Sequence, residues 1–233
     1  MSIYALTPTG MRPEGLALLG EYLNEQTYDG PLTWIVVDDC DPGSRIPRMR
    51  EGIDPLAVRP GWRWKPGQNT QAACMREGLK KVPDSATLLI LEDDDVYLPE
   101  YIETMLGALA DYELIGERIS RYYNIQTSKF RVLPGKVHAS LAATVCCGSA
   151  LALLKTLCAT DVRKPIDFAL WRSFQGRKKL LDTQNVVGIK GLPGRPGIGV
   201  GHRRHFGSPD NSDTLRMWAG NYADNYERLR GIG

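Results

Sequence analysis

The sequence lacks the features of membrane, secreted, disordered and fibrous proteins. Leu88–Leu91, a typical apolar run, has four residues and Leu141–Cys147 has seven with a Thr inside it, whereas a membrane-spanning helix needs about 20. The first residues contain no basic segment followed by an apolar core, so the sequence predicts no signal peptide and a cytoplasmic location. Of the 233 residues, 42% are hydrophobic and 24% are charged, which predicts one globular domain with a substantial core.

Cysteine is scarce and its spacing is irregular. The chain has five cysteines, an odd number, and no Cys-x-x-Cys pair. This pattern excludes a zinc knuckle and a disulfide framework, and it predicts reduced thiols.

The chain has little net charge, but the charges are segregated. The formal net charge is +2, which taken alone argues against a nucleic-acid-binding protein. Residues 84–117 contain ten acids and no Lys or Arg, whereas residues 163–204 contain ten basic residues and two acids. If both segments face one cleft, an acidic and a basic surface meet there, as a site for a metal and a phosphorylated ligand requires.

Apolar runs alternate with helical spacing in the first half of the chain. The predicted elements are strand Ser2–Leu6, helix Pro13–Gln26, strand Thr33–Val37, helix Asn69–Lys81, strand Thr87–Leu91 and helix Tyr101–Tyr112. Three strand–loop–helix units predict an α/β domain with a central, mostly parallel sheet and helices on both faces. Ligands of such sheets bind at the carboxyl ends of the strands.

The second half is less regular. The predicted elements there are strand Ala142–Cys147 and helices Ser149–Ala159, Ile166–Ser173 and Ser212–Tyr226. Gly188–Gly207 contains seven glycines and two prolines, and we predict that it is one long loop, either functional or disordered.

Four consecutive carboxylates follow the third predicted strand, at Glu92–Asp95. Their mutual repulsion raises their pKa values unless a cation or dense hydrogen bonding compensates. Carboxylate oxygens suit Mg²⁺ or Mn²⁺, so we expect a divalent ion here. The alternative is a solvated acidic turn at the start of the next helix.

Three segments in order resemble the nucleotide-sugar-binding half of GT-A glycosyltransferases, especially family 2. They are Thr7–Arg12, which is similar to the first nucleotide-binding loop, Val36–Ser44, similar to the second strand, and Leu91–Pro99, similar to the metal-binding aspartate motif. The resemblance implies a single GT-A-like domain over residues 1–233. Residues 1–117 would form the nucleotide-sugar-binding half, and residues 118–233 the acceptor-binding half with a flexible loop at 188–207.

The same resemblance implies roles for individual residues. The nucleotide-sugar contacts would be Thr7, Pro8, Thr9, Arg12, Asp39, Asn69, Asp93 and Arg203. The metal ligands would be Asp94, Asp95 and a late-loop histidine, His202 or His205. The metal motif has two possible registers, Glu92-x-Asp94 and Asp93-x-Asp95; alignment on Val96–Pro99 favours Asp94 as the principal ligand and Asp93 near the ribose. Asp39 would recognise the base.

An inverting sugar transfer needs a carboxylate that takes the proton of the acceptor hydroxyl. Lys164–Trp171 resembles the segment that supplies this base in family 2 and family 25 enzymes, which implies Asp167 as the base, with Asp161 in reserve. Asp167 could instead cap its helix. Arg195, Arg203 and Arg204 are candidates to bind the diphosphate, because guanidinium groups pair with phosphate oxygens.

The resemblance implies a glycosyltransferase that uses Mn²⁺ or Mg²⁺ and moves one sugar from a nucleotide-diphosphate sugar, with UDP favoured, to an acceptor hydroxyl. The sequence lacks the Gln-x-x-Arg-Trp motif of processive synthases. The acceptor would be a saccharide, a protein or, given the basic segment and Trp62–Lys65, a hydroxylated base in modified viral DNA, with no membrane partner. A nucleotidyltransferase and a non-catalytic sugar- or nucleic-acid-binding module are the alternatives.

Overall fold

Two β-sheets and seven α-helices make up the part of the protein that the structure describes. The computed structural model describes residues 2–160, 165–195, 197 and 206–231. The strands are β1 (Ile3–Thr9), β2 (Leu32–Asp38), β3 (Ile53–Val58), β4 (Thr87–Ile90), β5 (Val96–Tyr97), β6 (Leu114–Glu117), β7 (Ile119–Asn124), β8 (Lys129–Pro134), β9 (Thr144–Cys147), β10 (Lys178–Leu181), β11 (Val186–Lys190) and β12 (Ser208–Pro209). The helices are α1 (Pro13–Asn24), α2 (Gln71–Leu79), α3 (Tyr101–Leu109), α4 (Gly148–Ala159), α5 (Ile166–Ser173), α6 (Thr214–Ala219) and α7 (Ala223–Leu229).

The central sheet has seven strands in the order β10-β6-β9-β4-β1-β2-β3. Four of its six strand pairs are parallel, and β9 is antiparallel to both of its neighbours. Strand β9 inserts between β4 and β6, so residues from the second half of the chain complete a sheet that the first half begins.

Helices cover both faces of this sheet. Alternate strand residues point to opposite faces, so Ala5 and Trp34 pack with α1 and α3, whereas Leu6 and Ile35 pack with α2, α4 and α5. The predicted α/β domain, with a mostly parallel sheet and helices on both faces, is therefore confirmed. No described helix is long and apolar enough to cross a membrane, and all five cysteines are free, as expected.

A second sheet, in the order β12-β8-β7-β11-β5, packs on the α1 and α3 side. The buried carboxylate of Glu117, at the end of β6, joins the sheets. It accepts the backbone N–H groups of Asn185 (2.7 Å) and Val186 (3.1 Å), which lead into β11.

Several predicted boundaries were wrong. Strand β1 continues through Pro8 to Thr9, because β4 pairs with β1 only as far as Leu6 and the missing N–H of Pro8 costs no bond on that side. The predicted helix Ser212–Tyr226 divides at Gly220, which has a φ of +58°, into α6, a short 3-10 helix and α7.

The predicted loop Gly188–Gly207 does not begin at Gly188, because residues 188–190 belong to β11. A glycine is required at this strand position because the ring of Tyr122 on β7 packs directly against the backbone of residue 188. A Cβ atom at residue 188 would lie 2.4 Å from Tyr122 Cδ1. The glycine that suggested a loop therefore marks close packing between two strands.

Candidate active site

The carboxyl ends of β1, β2 and β4 bring three polar segments to one edge of the central sheet. These segments are residues 9–12, residues 38–39 and the turn Glu92–Asp95, which we call the acidic turn. Helix α1 lies against the acidic turn because residue 15 is glycine. A Cβ atom there would lie 2.6 Å from the backbone oxygen of Asp93.

Three carboxylates of the acidic turn converge. Glu92, Asp94 and Asp95 each place an oxygen within 4.8 Å of the other two. Gln71, in the first turn of α2, donates to Glu92 Oε1 (2.8 Å), and the backbone N–H of Ile189 donates to Asp95 Oδ1 (3.1 Å). Hard oxygen donors in this arrangement fit Mg²⁺ or Mn²⁺.

Asp93 has a different environment from the other three acids. Its Oδ2 accepts a hydrogen bond from Thr9 Oγ1 (2.6 Å), and its Oδ1 lies 2.9 Å from the guanidinium of Arg12. The contacts join Asp93 to the end of β1, where the sequence predicts the nucleotide sugar.

The buried Lys190 and the half-buried Arg12 compensate the acidic turn. Lys190, at the end of β11, places Nζ 3.2 Å from Asp94 Oδ2 and 3.3 Å from Asp95 Oδ1. Arg12 lies 3.1 Å from the same oxygen of Asp94 and also contacts Asp93. Asp94 is therefore shared between the two cations.

Burial shifts the pKa values of the carboxyl groups in the acidic turn. Burial raises the pKa of Glu92 to about 7 and that of Asp93 to about 6, against the opposing charges of Lys190 and Arg12. Burial also raises the pKa of Asp95. Burial alone would lower the pKa of Lys190, but the neighbouring carboxylates raise it well above its ordinary value, so Lys190 is charged.

Asp39 follows β2 and is fully buried. Its carboxylate accepts hydrogen bonds from Arg195 (2.7 and 3.0 Å) and from the hydroxyl of Thr70. Burial would raise the pKa of Asp39, but the hydrogen bonds of Thr70 and Arg195 and the charge of Arg195 hold it below its ordinary value. Asp39 is therefore ionised and paired.

Two further contacts hold Arg195 beside Asp39. Its guanidinium lies 5.3 Å from the ring centroid of Trp64, and its backbone N–H donates to Met11 O (3.3 Å). Gly10 makes room for the pair, because a Cβ atom there would lie 2.3 Å from Asp39 Oδ1 and 3.0 Å from Arg195. Of the three arginines predicted to bind the diphosphate, Arg195 is thus placed beside the predicted base-binding residue.

Three predicted nucleotide-sugar contacts are engaged elsewhere or lie at the surface. Thr7 is fully buried, and its hydroxyl accepts the indole N–H of Trp34 (2.9 Å). Pro8 is buried within β1 opposite Val37. Asn69 is exposed, and its Oδ1 accepts the backbone N–H of Gln71 (3.1 Å) at the start of α2.

Asp167 lies in the first turn of α5 and is half-buried. Burial raises its pKa, whereas the backbone N–H of Phe168 (2.8 Å) and the nearby imidazole of His138 lower it. One helical turn further on, Trp171 donates to Thr144 Oγ1 (3.2 Å) at the start of β9, which is antiparallel to β4. Helix α5 therefore packs beside the carboxyl end of β4, from which the acidic turn extends.

The remaining predictions lie outside the described residues. They concern Asp161 and the late-loop residues His202, Arg203, Arg204 and His205.

Sequence reasoning missed some residues of this site. Lys190 was assigned to a loop, although the apolar run Val186–Ile189 before it is typical of a buried strand. Thr70 immediately precedes α2, and its position before a helix was the only local signal. Neither predicted register of the metal motif contains all three grouped carboxylates, because the structure groups Glu92 with both Asp94 and Asp95.

Neither a protein-family model nor a curated protein matches the chain. Solved structures do match it. The crystal structure of S. aureus TarS 1-349 aligns with a TM-score of 0.55 and 12% identity over 81% of this chain and 60% of that one. The fold is GT-A-like.

Two further structures of the same protein agree. TarS 1-349 in complex with UDP-GlcNAc aligns with a TM-score of 0.54 and 14% identity over 84% of this chain and 60% of that one. Another TarS structure aligns with a TM-score of 0.53 and 12% identity over 81% of this chain and 37% of that one. The chain thus spans 37–60% of the TarS chains that it matches.

Proposed function

We propose that the protein transfers a single sugar from a nucleotide-diphosphate sugar, with UDP as the favoured nucleotide, to an acceptor hydroxyl. The observation that carries the proposal is the convergence of Asp39, Asp93 and the three carboxylates Glu92, Asp94 and Asp95 at one edge of the sheet. The UDP-GlcNAc complex of TarS, which shares the fold, supports this kind of donor.

In this proposal the chain binds the donor at two places. Asp39 accepts a hydrogen bond from the base, in exchange for one of its contacts with Arg195. Asp93 lies near the ribose, oriented by Thr9 and Arg12. Arg12 and Lys190 add positive charge for the diphosphate.

Glu92, Asp94 and Asp95 would hold a Mn²⁺ or Mg²⁺ ion, because their oxygens form a compact set of hard donors. When bound, such an ion neutralises charge that develops on a leaving diphosphate. Lys190 already contacts Asp94 and Asp95, so the ammonium would share these two carboxylates with a bound ion. His202 and Arg203 remain predictions for the metal and the diphosphate, respectively.

Asp167 would take the proton of the acceptor hydroxyl, and attack from the face opposite the diphosphate would invert the sugar carbon. Burial raises the pKa of this carboxylate, which makes it a stronger proton acceptor than a solvated aspartate. The acceptor hydroxyl belongs to a saccharide or to a hydroxylated base of DNA.

The proposal is tested by UDP release from UDP-GlcNAc and UDP-glucose with Mn²⁺, with each acceptor class added. Asp94→Asn and EDTA should both abolish release. Asp167→Asn should lower transfer about 10²–10⁴-fold while UDP affinity, measured by calorimetry, is retained. Normal turnover in EDTA would refute the metal, full activity of Asp167→Asn would refute the base, and release of pyrophosphate instead of UDP would indicate a nucleotidyltransferase.

A further inference from the structure

A large basic cavity lies beside α5 and shares no lining residue with the acidic turn. Its volume is about 610 Å³, within the range of ligand pockets. It is lined by α5, by β10, by residues 136–138 and by Arg118, which follows β6. The ten lining residues are Arg118, Lys136, Val137, His138, Phe168, Trp171, Arg172, Lys178, Lys179 and Leu180.

The charges of this cavity have one sign. Five of the lining residues are Lys or Arg, and none is acidic. Within the described ranges, Lys136, Arg172 and Lys179 form no ion pair with a carboxylate, whereas Arg118 pairs with Asp182 at the surface (2.7 Å). Arginine and lysine side chains without carboxylate partners around a concave surface attract anions, and phosphate above all.

The cavity lining includes the chain neighbour of the proposed base, but not Asp167 itself. Phe168 follows Asp167 directly in α5, and the ring of Phe168 packs edge-on against the imidazole of His138 (5.7 Å between centroids). His138 Nδ1 is buried and has no hydrogen-bond partner. An unpartnered buried nitrogen in the wall of this cavity indicates that a ligand or water supplies the partner.

We propose that this cavity is the acceptor site and that the acceptor is DNA, whose phosphates bind Lys136, Arg172 and Lys179 while one nucleotide enters toward Asp167. The inference rests on the proposed function and names its acceptor. Several cations at one cavity suit a ligand that repeats its negative charge. An enzyme that modifies a base must also take that base out of the stack and into a pocket.

The test compares two double variants of the full chain. Lys136→Ala with Arg172→Ala removes two cations of the cavity, and Lys80→Ala with Lys81→Ala removes two exposed lysines at the end of α2. Binding of a fluorescein-labelled duplex that contains 5-hydroxymethylcytosine is measured by anisotropy over a series of salt concentrations. UDP affinity is measured by calorimetry for each protein.

We expect the cavity variant to bind the duplex more weakly, with a log–log salt slope smaller by about 2, because each lost phosphate contact removes about one unit. The α2 variant should keep the wild-type slope, and all three proteins should bind UDP equally. Equal slopes for the two variants would overturn the inference, as would stronger competition by an uncharged oligosaccharide than by unlabelled DNA.

Failure of the inference and failure of the proposed function give different results. If the wild-type protein releases UDP from a UDP-sugar but the cavity variant keeps the wild-type salt slope, the proposed transferase function stands and the DNA acceptor is refuted. Wild-type protein that binds DNA through the cavity but releases no UDP refutes the transferase instead. Charge reversal by Lys136→Glu gives a second measurement, with a larger loss expected than from Lys136→Ala.

Discussion

The contact of Lys190 with Asp94 and Asp95 permits a sharp test of the candidate metal site. Lys190→Met keeps the length and apolar packing of the side chain but removes the ammonium. Lys190 is 9% exposed, and its two partners are 4% and 2% exposed. Removing one partner of a buried ion pair costs about 3–5 kcal/mol, because the other charges stay buried without compensation. For a chain of this size that lowers the melting temperature by roughly 6–20 °C.

Metal should reverse part of this loss. An ion at 100 times its dissociation constant stabilises a folded protein by about 2.7 kcal/mol, and it should bind the variant more tightly because the neighbouring ammonium is gone. Thermal unfolding with and without Mn²⁺ measures both effects. Lys155→Met is the matched control, because Lys155 pairs with the exposed carboxylate of Asp84 and a surface pair contributes about 0–1 kcal/mol.

Two results would refute this reasoning. If Lys190→Met melts at the wild-type temperature without metal, Lys190 does not compensate the acidic turn. If Mn²⁺ raises the melting temperature of the wild type and of the variant equally, the ion does not share carboxylates with Lys190, and the metal site lies elsewhere.

Three further predictions concern the same edge of the sheet. Asp39→Ala should weaken UDP binding by about 1–3 kcal/mol through loss of a charged hydrogen bond. An unchanged calorimetric affinity would show that the uracil base binds elsewhere. Mn²⁺ affinity should fall as the pH is lowered through 7, because burial raises the pKa of Glu92 to about 7 and protons then compete with the ion; Glu92→Gln should flatten this dependence in calorimetry between pH 6 and 8. Gly15→Ala should lower the free energy of unfolding by about 1–3 kcal/mol, because the new Cβ atom would lie 2.6 Å from a backbone oxygen of the acidic turn. Gly107 in α3 has open space around it, so Gly107→Ala should instead raise the free energy of unfolding by up to about 1 kcal/mol. Equal effects of the two substitutions in urea unfolding would contradict the close packing at Gly15.

Sequence patterns predicted the elements whose signals are local. Strands β1, β2 and β4 are buried on both faces, so their apolar runs are continuous, and α1–α3 carry apolar residues at helical spacing. Strand β3 was missed because it is an edge strand. Four of its residues are exposed and it contains Pro55, which an edge tolerates.

The sequence predicts the carboxylates of the site, but it does not predict which cations pair with them. A run of four acids after a buried strand is visible in any reading of the sequence, and so is Asp39. The cations that hold these groups come from distant residues, Lys190 for Asp94 and Arg195 for Asp39. No local pattern connects such pairs, because the sheet topology alone brings them together.

The sequence separation between Asp94 and Lys190 also sets the order in which the site is completed during synthesis on the ribosome. Asp94 leaves the ribosome 96 residues before Lys190, which at common rates of synthesis is a delay of about 5–20 s. Strand β9, which separates β4 from β6, also emerges within that interval. Until β11 arrives, Arg12 is the partner already synthesised that can compensate the nascent acidic turn, and full compensation of Asp94 and Asp95 waits for Lys190.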